Sequence, residues 1–127
     1  KKFVPAIEPM HGNQLSIYTA AKGEKLWNRN VITDSLDQGH ALATGDFLGT
    51  GSDQIVVGWR GTRRTGKVGV KLFYPTDKKR TKWKIQLIDD NEMATEDIRV
   101  ADLNADGKPD IVAAGRATHN LKIYFNE

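Results

Sequence analysis

The sequence predicts an all-β chain of short antiparallel strands grouped into repeated four-stranded units, and three observations predict it. First, Tyr18 and Tyr74, Trp27 and Trp83, Asp46 and Asp102, Gly51 and Gly107, and Ile55 and Ile111 each recur, in order, at an offset of 56 residues. Five coincidences at one offset make an internal repeat. Second, Trp83, Ile85 and Leu87 alternate with Lys82, Lys84 and Gln86, the period of two that leaves one strand face wet. Third, no window of helical length carries a convincing apolar stripe.

The elements follow in order. "FVPAI" and "LSIYT" read as the second and third strands of a first unit, with an outer strand near 25–32. "HALATG" is rich in small residues, as suits an innermost strand where backbones crowd together, and it opens a complete unit. "QIVVGW" and "DIVAAG" are short, nearly continuous apolar runs, expected of strands covered on both faces. "VKLFYP" recurs as "LKIYFN", giving the third strand of the last two copies. "TAAKGEK" and "PTDKKRTK" are polar turns. "FVPAIEPMHG" aligns with "IVAAGRATHN" at an offset of 108, which extends the repeat to the start of the chain. The units so defined are 1–39, lacking an inner strand; 40–95, complete; and 96–127, lacking an outer strand.

Composition agrees with a folded domain. The 127 residues are 39% hydrophobic and 28% charged, and no apolar run is long enough for a helical membrane span. With no Cys, disulfide and thiolate chemistry are excluded. Ten of the 19 Lys and Arg residues lie between Arg60 and Lys84, with Asp77 the only acid among them. No base-stacking aromatic motif accompanies these charges, so solvated turns are expected rather than a nucleic-acid face.

Four-stranded units repeated radially describe a β-propeller. Ten strands make about two and a half blades, and a ring closes with about four or more. Open edges are therefore expected, to be covered by further blades of the same propeller or by a complementary chain. "DLNADGKPDIV" resembles the repeat signature of the FG-GAP/VCBS propellers, which are usually seven-bladed. A narrower likeness, carried by "IEPMHGN", "QGHAL", "GWR" and "AGRATHNLKIYFNE", is to the propeller domains of the aldos-2-ulose dehydratase family of sugar lyases. These resemblances imply the C-terminal part of a ring whose last blade takes its outermost strand from the N-terminus. They also imply an extracytoplasmic protein acting on carbohydrate.

The loop "DLNADGKPD" offers chemistry of its own. Asp102, Asn104, Asp106, the Lys108 carbonyl and Asp110 stand at the oxygen-ligand spacing of a Ca²⁺ loop, with Gly107 at the turn. It is not an EF-hand, because Ala113 stands where a bidentate Glu is required and strands flank the loop. Its sister, "DFLGTGSDQ", keeps Asp46 and Gly51 but has Leu48, Thr50 and Gln54 in place of the other ligands. The turn is therefore primary and the cation secondary, the alternative being an Asx-turn hairpin without metal.

Antiparallel strands put successive connections at opposite ends, so the remaining polar residues fall on the far rim. The alignment equates Glu8 with Arg60 and Arg116, His11 with His119, and His40 with Glu96. Two functions compete for this rim. In the first, His11 and His40 hold Zn²⁺ or another divalent metal, the metal and Arg60 or Arg116 stabilise an enolate, and His40, His11 or Glu96 moves a proton, with Arg116, His119 and Glu8 binding a sugar. This is the elimination of water from a keto-sugar that the dehydratase resemblance implies. In the second, the rim binds a carbohydrate or a protein without chemistry, on a calcium-stabilised propeller.

Overall fold

The computed structural model describes residues 2–127. It is all-β: ten strands form three antiparallel sheets, among the described residues, with no helix. The first sheet is β1 (Phe3–Glu8), β2 (Gln14–Thr19) and β3 (Asn28–Thr33); the middle one is β4 (Gly39–Gly45), β5 (Gln54–Trp59), β6 (Gly69–Pro75) and β7 (Trp83–Asp90). The third is β8 (Thr95–Ala101), β9 (Asp110–Gly115) and β10 (Asn120–Tyr124). Every strand pairs with its sequence neighbour, so the chain meanders through each sheet before crossing to the next.

The middle sheet is packed on both faces, which explains the unbroken apolar run of β5. Ile55 and Val57 point to the first sheet and join Leu15, Ile17, Leu36 and Phe73. Val56 points the other way and joins Val70, Leu72, Ile98, Ile111 and Ala113. Each of these valines and isoleucines contributes about 1.5–3 kcal/mol through burial. Between sheets, β8 packs on β4 and β5, and β1 packs on β4. A Cβ on Gly39 would lie 2.9 Å from Ile7 Cγ2, and one on Gly45 would lie 3.3 Å from Val100 Cγ1. The small residues of "HALATG" are thus a consequence of sheets converging on their inner strands.

The outer ends of the second junction are tied by a polar contact. Buried Asp89, on β7, accepts hydrogen bonds from Tyr124 Oη at 2.8 Å, Lys122 Nζ at 3.0 Å and the Glu92 amide at 2.8 Å. Burial pushes the Asp89 carboxyl up, but these donors outweigh it and hold the group below its ordinary value.

The first copy sits one residue out of the register that its sequence suggests. Ile7, Leu15 and Ile17 face the middle sheet, and Phe3 meets Trp83 edge to face at 6.4 Å. Ile7 against Gly39 therefore repeats the junction of Gly58 against Thr95. Glu8 then corresponds to Trp59 rather than Arg60, and Tyr18 to Phe73 rather than Tyr74. A slip of one residue turns every side chain of a strand to the other face.

Candidate functional site

The rim cluster is assembled from connections on one side of the sheets. Each inner strand opens on a polar residue, His40 in β4 and Glu96 in β8, and the two strands lie side by side. His40 Nδ1 lies 2.7 Å from the Glu96 carbonyl oxygen. A carbonyl can only accept, so Nδ1 carries the proton and the tautomer is fixed. His40 Nε2 then faces Glu96 Oε2 at 3.3 Å, an ion pair whenever the ring is protonated. The same carboxylate accepts from Arg60 Nη1 at 2.9 Å and 2.8 Å. Burial pushes the Glu96 carboxyl up; the Arg60 hydrogen bonds and the charges of His40, Arg60 and Arg116 outweigh it and hold the group below its usual value.

His11 completes the group from the β1–β2 connection. Its ring stacks on His40 with centroids 4.7 Å apart and planes 11° from parallel. An imidazole binds a metal in its own ring plane, so stacked rings do not aim two nitrogens at one ion. Among the described residues no group of three or more His, Asp or Glu side chains converges on a metal site.

Three residues that sequence reasoning passed over set the position of Arg60. Its amide donates to the Gln38 carbonyl at 3.2 Å, and the next amide, of Gly61, donates to the Asp37 carbonyl at 2.8 Å. Buried Asp37 also accepts the Arg64 amide at 2.6 Å through its carboxylate. A Cβ on Gly61 would lie 2.3 Å from Asp37 Oδ1, so only glycine fits. The signal was present in "LDQGH" and "GWRG", where an Asp and a Gly flank the turn-forming residues, but nothing in one sequence links the two segments.

The other expected rim residues separate. Arg116, exposed at the start of the β9–β10 turn, acts on Glu96 through its charge. His119 is exposed in the left-handed region of the same turn, at a φ of 50°, matching His11 at 57°. Glu8 lies elsewhere, as its register requires. It accepts hydrogen bonds from Ser16, Tyr18 and Arg29 on the face of the first sheet turned away from the middle one. The Tyr18 and Arg29 hydrogen bonds hold its carboxyl below the ordinary range.

The acidic loops lie at the opposite ends of the strands. In the β8–β9 loop the Asp102 carboxylate accepts the amides of Asp106 at 3.1 Å and Gly107 at 2.9 Å. Asp106 accepts the Lys108 amide and the Asn104 side chain, and Asp110 accepts the amides of Leu103 and Asn126. The sister loop repeats the clasp, with Asp46 accepting Thr50 and Gly51 at 2.8 Å and 2.7 Å. Backbone amides that meet these carboxylates close both loops. Asp102→Ala is expected to lower the melting temperature equally in calcium and in chelator. A wild-type melting curve that shifts on chelation would instead assign part of the clasp to a cation.

Much of the basic stretch is engaged locally. Lys71 lies over Trp59 at 4.7 Å, Arg80 over Phe3 at 4.8 Å, and Lys67 pairs with Asp90 at 3.0 Å. Two concavities lie away from the rim. One groove of about 460 Å³ runs beside β10, lined by Phe47, Leu72, Leu87, Tyr124 and Phe125, and another of about 550 Å³ lies beside the acidic loops. The second is lined in part by Asp46, Lys108 and Glu127, whereas His11, His40, Glu96 and Arg60 meet on the open rim. The chain matches no protein-family model and no curated protein.

Proposed function

We propose that the three sheets are consecutive blades of a β-propeller and that the rim of His11, His40, Glu96 and Arg60 is the working site of a carbohydrate lyase. The observation that supports this most is the meeting of four polar side chains from separate connections, on the inner strands, opposite the hydrogen-bonded loops. A repeated sheet that packs on both faces, with β8 on β4 and β5 and β1 on β4, supports the propeller.

In this reading the sugar presents a carbon acid, a C–H next to a carbonyl group, to the exposed His11. The imidazole accepts the proton, and a guanidinium faces the oxygen on which negative charge develops. The electron pair then expels the β-oxygen substituent, and the imidazolium returns a proton to it. His40 holds His11 by stacking, while Glu96 fixes both His40 and Arg60. The resemblance to the dehydratases supports this class of elimination on a keto-sugar. The two histidines and Glu96 do not form a metal centre as arranged, so no step is assigned to a metal.

A second reading is favoured by one specific observation: Arg60 and His40 already occupy the Glu96 carboxylate, as in a site that binds without chemistry. Turnover separates the two. The intact protein is expected to convert a keto-sugar to its unsaturated product, and His40→Ala to lose that conversion while keeping its fold. Sugar binding without any turnover in the wild type would establish the binder instead.

A further inference from the structure

The strand registers turn one face of each sheet toward the next sheet in the chain. On the first sheet this face carries Ile7 of β1 with Leu15 and Ile17 of β2, packed against the middle sheet. The same places on the middle sheet are Gly58, Val70 and Leu72, packed against the third. On the third sheet they are Ala114, Leu121 and Ile123, because Ala114 pairs with Leu121 and Val112 with Ile123. The first two sets are covered: Leu15, Ile17 and Val70 are fully buried and Leu72 is 3% exposed. The third set is bare, with Leu121 64% and Ile123 45% exposed. Beside it, Asp97 and Arg99 of β8 take the places of Ala41 and Ala43, and they pair with each other at 2.8 Å, so the face gains no net charge. The outer face of the third sheet therefore repeats, in residue type and register, two faces that are already interfaces.

Both junctions follow one rule of size at equivalent contacts. A Cβ on Gly58 would lie 2.4 Å from Thr95 Cβ, and a Cβ on Gly39 would lie 2.9 Å from Ile7 Cγ2. Gly39 is the counterpart of Thr95, and Ile7 the counterpart of Gly58, so each junction has glycine on one side only. There is no room for two side chains. The third sheet brings Ala114 to this point, so the glycine has to come from the other side. We propose that the outer face of the third sheet is an interface whose occupant is a partner sheet of this same repeat, its inner strand opening on a glycine set against Ala114. This rests on the reading of the sheets as consecutive blades and names what covers the last of them. A second copy of this chain does not fit. Its first sheet has no counterpart of β4 to carry the glycine, among the described residues, and it presents Glu8, bonded to Tyr18 and Arg29, where the middle sheet has Trp59.

The chain has no Cys, so a single introduced thiol reports on one place. The experiment measures maleimide labelling of Ile123→Cys in the intact protein, against Leu103→Cys in the β8–β9 loop, where Leu103 is 47% exposed. Ile123→Cys is expected to react about tenfold or more slowly than Leu103→Cys, with equal rates in denaturant. Ala114→Val is expected to restore fast labelling at Ile123→Cys, and Ala114→Gly to keep it slow. Val57→Cys, at a fully buried position of β5, is expected to stay protected in Ala114→Val, which separates loss of the partner from loss of the fold. Labelling of Ile123→Cys as fast as that of Leu103→Cys would overturn the interface. Protection that Ala114→Val leaves in place would overturn the glycine contact. Protection that arises only as this chain doubles its mass in solution would overturn the partner sheet in favour of a second copy. Val4→Cys, on the opposite end face at β1, tests the blade reading separately, because a closed ring covers both ends. Fast labelling there with Ile123→Cys protected would overturn the ring and keep this interface.

Discussion

Gly58→Ala is expected to destabilise the fold by about 3 kcal/mol or more, a large part of the 5–15 kcal/mol that typically holds a domain together. The added Cβ would lie 2.3 Å from Thr95 Cγ2, 2.4 Å from its Cβ and 2.5 Å from its Oγ1. Thr95 cannot retreat, since it is fully buried and its hydroxyl donates to the Gly69 carbonyl at 3.2 Å. The first junction solves the same packing problem with the sizes exchanged, Ile7 on β1 against Gly39 on β4. Removing Thr95's side chain should therefore rescue the variant: Gly58→Ala with Thr95→Gly is expected to be more stable than Gly58→Ala alone. Denaturant melts of the four members of this cycle measure the coupling. A Gly58→Ala protein with the wild-type midpoint would contradict the packing described for β5 and β8.

That junction also shows where sequence reasoning succeeded and where it ran short. The strands were legible because alternation in β7 and the apolar runs of β5 and β9 are local signals, repeated 56 residues apart. The hairpin clasps were legible too, since Asp46 and Asp102 occupy one position in two copies and bind equivalent amides. The first copy misled. Its β1–β2 turn differs in length from its counterparts, and an alignment anchored on Tyr18 and His11 absorbs that difference in the wrong place. Glu8 was drawn to the rim on that account, whereas its carboxylate binds Ser16, Tyr18 and Arg29 on the outer sheet face.

The meeting of His11, His40, Glu96 and Arg60 was legible from the topology of antiparallel connections alone. The particular contacts were not. Stacking of two imidazoles and the anchoring of Arg60 by Asp37 and Gln38 depend on side chains from segments distant in sequence. The acidic loop was a similar case. Its closure shows only in three dimensions, where Asp102 and Asp110 accept backbone amides across the turn.

Glu96→Gln is expected to have the largest effect on function, a fall in turnover of about a hundredfold or more. The amide keeps the size of the carboxyl but not its charge, so Arg60 loses its ion pair and His40 loses the partner facing Nε2. The cost in stability should be small, about 1 kcal/mol, because the side chain is a quarter exposed at 26% and solvent screens the pair. Its pH dependence has a definite sign. The folded carboxyl lies below its ordinary value of 4.5, so its contribution is fully present above that pH and is lost as the pH falls through the lowered folded value. The difference in melting temperature between wild type and Glu96→Gln should therefore be constant near neutrality and should shrink only on acidification below about pH 4.5.

The claim that the working site is the rim, and not the acidic loop, is tested most directly by measuring sugar elimination in Glu96→Gln and Asp106→Ala side by side, in the intact protein. Glu96→Gln is expected to lose turnover at nearly unchanged stability, and Asp106→Ala to lose stability with its turnover, measured well below its melting temperature, unchanged. Turnover that survives Glu96→Gln and disappears in Asp106→Ala would place the chemistry on the opposite face and contradict the account.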